Sequence, residues 1–171
     1  AHLAAITAAR EAGAILSFDP NLRFPLWPDR EQLRQTVWQF LPLTHILKLS
    51  DEELPFLTGT EDIEAALPRL FTGDVQLVLY TCGSKGARAY TRTASAHARS
   101  PKVAAVDTTG AGDAFIAGLM YGLYHDAPLT RCVALGNIMG GVCVQHVGCL
   151  TGRITAGELE ADQVIDAAGK I

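Results

Sequence analysis

The sequence has no cluster of Lys or Arg: its 14 basic residues are dispersed among 18 acidic ones, and the net charge is -4. A surface for nucleic acid or anionic lipid needs concentrated positive charge to neutralise phosphates, so both partners are excluded and a small molecule is expected. No stretch approaches the ~20 continuous apolar residues that a bilayer crossing requires, because Gly, Asp or His interrupts every run. The four cysteines, Cys82, Cys132, Cys143 and Cys149, show no C-x-x-C pairing. Nothing at the start has the charged head and apolar run of a cleavable signal. The thiols are therefore read as reduced and the protein as cytoplasmic. Also missing are an internal repeat, a low-complexity segment, a linker, and the G-x-x-x-x-G-K-[ST] motif of P-loop nucleotide-binding proteins.

What remains is a chain of 171 residues, 49% hydrophobic, enough to fill the core of one structural unit. Residues 1–12 have helical composition and run into Gly13, and the apolar run 14–18 reads as a strand ending in a loop at Asp19. Asp29 caps a helix through Phe40, residues 45–49 form a buried strand, and Ser50-Asp51-Glu52-Glu53 caps another helix. Residues 61–71 continue as helix, bent or shortened by Pro68. The strongest strand signal is 75–80, followed by a Gly-rich turn and a β-ribbon over 87–98. The short apolar run 103–106 is read as a further strand. After it a helix carries Phe115, Ile116, Leu119, Met120 and Leu123 on one stripe, and two more helices cover 129–146 and 156–168. Strands alternating with helices imply an α/β fold whose mostly parallel sheet is covered on both faces. Its ligand sites belong in the loops after Phe18, Leu49, Tyr80 and Val106, at the carboxyl ends of the strands.

The last of these loops carries the most chemistry. In Thr108-Thr109-Gly110-Ala111-Gly112-Asp113 the glycines let an anion approach the backbone amides at a helix start. Asp113 has two open readings: a base that takes a proton from a hydroxyl during phosphoryl transfer, or a helix cap. A dinucleotide fingerprint is excluded, because Phe115 stands where that motif wants Gly or Ala.

The run from Asp107 to Phe115, followed by Ala117-Gly118-Leu119, resembles the C-terminal signature of the ribokinase (PfkB) family of carbohydrate kinases, most like the fructokinases. The resemblance implies ATP-dependent, Mg2+-assisted transfer of a phosphoryl group to a sugar hydroxymethyl group, with fructose giving fructose 6-phosphate. A 2-keto-3-deoxygluconate kinase or a ribokinase-like kinase is the alternative, and a non-catalytic nucleotide-binding fragment is the alternative of another class. Position by position, Gly110, Ala111 and Gly112 would form an anion hole and Asp113 would be the base.

Other segments agree in order. Asp19-Pro20-Asn21-Leu22-Arg23 is similar to a family loop near the substrate, where Asn21 and the forked donors of Arg23 would reach the acceptor. A turn-forming role for Asp19 and Asn21 and a surface ion pair for Arg23 stay open. Lys48-Leu49-Ser50-Asp51-Glu52-Glu53 resembles an N-x-x-E element with Ser50 at the Asn position; Glu53 would act on magnesium through water, or belong to a capped helix start. Thr81, Gly83 and Gly86 match a T-x-G-x-x-G turn that lines the nucleotide, and Asn137 matches a position bordering adenine, unless it only bonds neighbouring backbone. Asp107 and Thr109 match a monovalent-cation site, K+ in some members, with main-chain oxygens at Cys143, His146 and Gly148. Cys143 and His146 alone do not make a zinc site.

The resemblance further implies a three-layer α/β/α ribokinase-like fold that is incomplete. Residues 1–171 are read as the C-terminal nucleotide-binding and catalytic part, without the N-terminal lid and first strands. This piece alone is expected to be inactive, lacking most of the sugar cage that excludes water, and a homodimer is expected of the full-length form.

Overall fold

The computed structural model describes residues 2–152 and 154–160. The chain divides into two compact units, one running through Thr81 with Tyr90–Ala94, the other holding Cys82–Ala89 and the chain from Ser95. The strands form one sheet in the order β1-β2-β3-β4-β5. These are Ser17–Phe18, Ile46–Ser50, Leu77–Thr81, Ala87–Tyr90 and Ser95–Ala98.

In the first unit, helix α1 (His2–Glu11) precedes β1 and buries no residue. The expected strand over 14–18 is reduced to two residues. Its limit has a local cause: the Leu16 amide donates to the His45 imidazole Nδ1 at 2.9 Å instead of to a strand carbonyl. Gly13, in the left-handed region, and the Ala14-to-Ala9 bond wind the preceding residues onto the end of α1. Helix α2 (Arg30–Phe40) starts where Asp29 accepts from the amides of Glu31 and Gln32, as expected. β1 pairs parallel with β2, and β2 with β3, in a register that sets Ile46 opposite Leu77 and Ser50 opposite Thr81. Leu47, Leu49, Val78 and Leu79 are wholly buried, the composition of strands covered on both faces. Helices α3 (Glu53–Thr58) and α4 (Ile63–Leu70) follow β2. Pro68 lies within α4, which ends two residues later at Leu70.

In the second unit, helix α5 (Ala111–Tyr124) packs on α6 (Leu129–Cys143). The buried stripe of α5 is Phe115, Gly118, Leu119 and Gly122; Ile116, Met120 and Leu123 are only half-buried. Glycine rather than bulk sets the helix spacing here: a Cβ on Gly118 would lie 2.5 Å from the Leu135 carbonyl oxygen. α6 stops at Cys143 instead of His146, because the Gln145 and His146 amides reach back only three residues, to Val142 and Cys143. Leu135 and Ile138 pack with Leu159 of α7 (Ala156–Glu160). The remainder of the helix expected over 156–168 lies outside the described residues.

The strand expected over 103–106 does not form. Val103 and Val106 are exposed, and the amides of Val106 and Asp107 both go to the carbonyl of Val144. β-branched composition favours a strand only where a neighbouring strand supplies partners; here the end of α6 takes them. Among the described residues no helix is long and apolar enough to cross a membrane.

Because the backbones of α5 and α6 approach so closely, Gly118→Ala should lower stability by about 1–3 kcal/mol. Chemical denaturation at equal m-value is the check; an unchanged midpoint contradicts the packing described.

Candidate functional site

Parallel pairing carries the ends of β1 and β2 to the same edge of the sheet, so the residues that leave those strands become neighbours. The loop after β1 is tied by two polar anchors, one to β2 and one to the start of α3. Lys48, on β2 and 7% exposed, holds its ammonium 2.9 Å from Asp19 Oδ2. The buried Glu53 carboxylate accepts from the Leu22 amide through Oε1 at 2.9 Å. Its Oε2 accepts from the Ser50 amide at 2.8 Å and the Ser50 hydroxyl at 2.9 Å. Ser50 Oγ in turn accepts from the Glu53 amide, completing a reciprocal cap. Burial pushes the Asp19 carboxyl above its usual range, with Lys48 opposing and the Glu53 charge reinforcing.

Between those anchors Asp19 Oδ1 accepts from the Asn21 amide at 3.0 Å, and Asn21 is left-handed with φ 45. An Asx turn is therefore present, one of the two readings left open for Asp19 and Asn21, and Asn is among the few residues that tolerate this backbone. Arg23 is exposed and its guanidinium reaches only the Leu22 carbonyl, at 3.4 Å; among the described residues it forms no ion pair. Thr81, at the end of β3, accepts from the Asp51 amide through its carbonyl.

In the second unit, the Cys82 amide donates to the Gly86 carbonyl at 2.8 Å and closes a turn over Gly83–Lys85. Gly110 caps α5 at φ 80, and a Cβ there would sit 2.3 Å from Cys149 Cβ, so both backbone and space require glycine. The Ala111 amide is engaged with the Thr108 carbonyl at 3.2 Å, and the Ala114 amide with Gly110 at 2.9 Å. Among the described residues the amides of Gly112 and Asp113 take no partner, as the first turn of a helix leaves them. Asp113 is exposed, and no side-chain cap bond forms at this helix start. Capping, the bland reading of Asp113, therefore does not occupy its carboxylate.

Asp107 braces this loop. Oδ1 accepts from the Thr109 amide and Oδ2 from the Gly148 amide, each at 2.9 Å. Those bonds, Thr109 first and Gly148 second, hold its carboxyl below the usual value of 3.8. The Thr109 carbonyl accepts from the Cys143 thiol at 3.4 Å. Burial pushes that thiol up, helped by Cys149, Asp107 and Asp113. Asn137 is buried and donates to the carbonyls of Ala98 at 2.8 Å and Arg99 at 3.3 Å. No group of three His, Cys, Asp or Glu able to hold a metal occurs among the described residues.

Two residues were not singled out from the sequence. Lys48 had a signal, a lone charge inside the apolar run Ile46-Leu47-Lys48-Leu49. Cys149 had none, since its contact with Gly110 joins distant segments.

Residues 1–156 match the pfkB family carbohydrate kinase. The chain is 39% identical over 170 residues to probable fructokinase-4 of Arabidopsis thaliana, covering 94% of this chain and 52% of that protein. Among solved structures, it is similar to fructokinase from Vibrio cholerae O395 in a fructose-, ADP- and calcium-bound form. That likeness has TM-score 0.83 and 36% identity, over 92% of this chain and 53% of that one. A putative ribokinase II from E. coli in complex with ATP and Mg2+ gives TM-score 0.84 at 28% identity, covering 95% of this chain and 52% of that chain. The chain thus spans about half the length of the relatives it matches.

The lowered pKa of Asp107 gives its stability contribution a defined sign. A carboxylate whose folded pKa lies below its unfolded value stabilises above the unfolded value, and that contribution is lost as pH falls through the folded value. Wild type should therefore exceed Asp107→Asn in stability by a constant margin above the ordinary 3.8, and the margin should shrink below it. Urea midpoints across an acid series measure this; a margin that widens on acidification has the wrong sign.

Proposed function

Because the chain belongs to the pfkB family of carbohydrate kinases, we propose that it is the nucleotide-binding and catalytic part, residues 1–171, of an ATP-dependent kinase. Its acceptor is a sugar hydroxymethyl group, with fructose phosphorylated at the 6-position. The observation that carries this reading is the start of α5: the amides of Gly112 and Asp113 take no partner among the described residues, and the Asp113 carboxylate stands exposed beside them. An anion is favoured where unpaired amides and a helix N-terminus coincide. A carboxylate at that place can take the proton of an attacking alcohol.

In this reading Gly110, Ala111 and Gly112 receive the transferring phosphoryl group; of their three amides, that of Ala111 is the one engaged, with the Thr108 carbonyl. Asp113 accepts the hydroxyl proton. Thr81, Gly83, Gly86 and Asn137 serve the nucleotide, Asn137 by fixing the 98–99 backbone through its amide. Asn21 and Arg23 contact the acceptor. Mg2+ neutralises phosphate charge when bound with ATP. Both Glu53 oxygens already accept protein donors, which suits an action on that ion through water rather than direct ligation. Asp107 and Thr109 stiffen the phosphate loop, and K+, where bound, would share main-chain oxygens near Cys143, His146 and Gly148. Cytoplasmic placement and a homodimer of the full-length form belong to the same proposal.

A second reading is a nucleotide-binding fragment without turnover. Mixing the chain with the N-terminal half of a fructokinase relative separates the two. Fructose-dependent ADP formation supports the kinase, and nucleotide binding with no turnover supports the fragment. In that assay Asp113→Asn should lower kcat by about 10²–10⁴-fold and leave ATP affinity nearly unchanged; equal turnover in both proteins removes Asp113 from the mechanism. Ribose or 2-keto-3-deoxygluconate outperforming fructose would overturn the acceptor assignment.

A further inference from the structure

Lys48 occupies an interior position of a parallel strand, where burial of an unpaired charge is costly and apolar residues are the rule. Leu47 and Leu49 on either side of it are 0% exposed. The charge is matched by a carboxylate from a different strand end, Asp19, at 2.9 Å. A second bond fastens the other end of the same loop, from the Leu22 amide to Glu53 at 2.9 Å. Between these fixed points the chain passes through the left-handed Asn21. The loop side chains left exposed are those of Asn21 and Arg23. Lys48 and Glu53 are themselves buried, at 7% and 8% exposure, and their charged groups are engaged by the protein.

We infer that Lys48 and Glu53 are positioning residues, which hold the loop from Asp19 to Arg23 in the conformation it presents to a polyhydroxylated acceptor. The inference rests on the reading above in which Asn21 and Arg23 contact that acceptor. It gives Glu53 a task independent of any metal, since its three protein donors join the end of β2, the start of α3 and the loop. It also explains why a strand core tolerates a lysine. A charge pair across two strand ends defines one loop geometry, whereas an apolar pair of the same volume defines none.

Amide hydrogen exchange on the 171-residue chain mixed with the N-terminal half of a fructokinase relative, with and without fructose, tests this. In Lys48→Met the amides of Asn21 and Leu22 should exchange about tenfold or more faster, while those of Leu77–Thr81 keep their protection. Adding Asp19→Asn relieves the buried unpaired charge without restoring the bond, so loop exchange should stay fast; recovery to the wild-type rate would overturn the positioning role of Lys48. If Lys48→Met does not fold, Glu53→Gln serves instead. It keeps one acceptor oxygen of two and should release the amide of Leu22 or of Ser50. A folded variant whose loop amides exchange at the wild-type rate overturns the proposal. Fructose should slow loop exchange in wild type but not in Lys48→Met or in the double variant. Fructose without effect on the wild-type loop would overturn the acceptor-positioning role even where Asp113→Asn abolishes turnover, so the two readings fail separately.

Discussion

The parallel register of β1, β2 and β3 is the constraint on which the first unit depends. Parallel strands all end on one edge, so every loop that leaves them starts from a shared place. Ser50 opposite Thr81 fixes how far β2 and β3 extend, and the Asp51 amide closes that edge on the Thr81 carbonyl. A slip of one residue would turn Lys48 to the other face of the sheet and exchange its place with Leu47 or Leu49. The Asp19 carboxylate would then lose its partner. Register and ion pair are therefore mutually reinforcing: apolar burial selects the first, and the charge pair penalises its alternatives.

In the second unit the equivalent role falls to close backbone approach. α5 and α6 are drawn together at glycine, and the loop before α5 is tied to the end of α6 and the residues after it by Asp107, by Val144 and by the Cys143 thiol. A phosphate-binding turn must hold its amides in place before the anion arrives, or the anion's binding energy is spent on ordering them. The two bonds to Asp107 supply that order without occupying the amides of Gly112 and Asp113. Gly110, closed against Cys149, prevents the turn from relaxing into an ordinary helix start. The exposed Asp113 carboxylate and its unengaged neighbours are what such bracing leaves available.

The legible parts of this protein were those encoded by contiguous residues. The loop from Asp107 to Asp113, the cap at Asp29, the reciprocal pair Ser50 and Glu53, and the turn at Asp19 and Asn21 are all local devices. Each acts within a few residues of chain, so the residue types and spacing carry the geometry. Failures occurred where a partner was remote. The run 103–106 has strand composition, yet its backbone is taken by Val144. Asn137 was assignable to a ligand or to backbone, and only the fold showed its amide on Ala98 and Arg99.

By itself the sequence determined the alternation of strands and helices, the glycine-bearing turn before α5 and the carboxylate at its start, because hydrophobic period, caps and turns are properties of short segments. Tertiary structure alone decided that Lys48 is paired with Asp19, that Glu53 is committed to Leu22 and Ser50, and that Cys149 closes on Gly110. Those are contacts between segments many residues apart, and no local pattern records which distant group the folded chain will bring to a buried charge or an open amide.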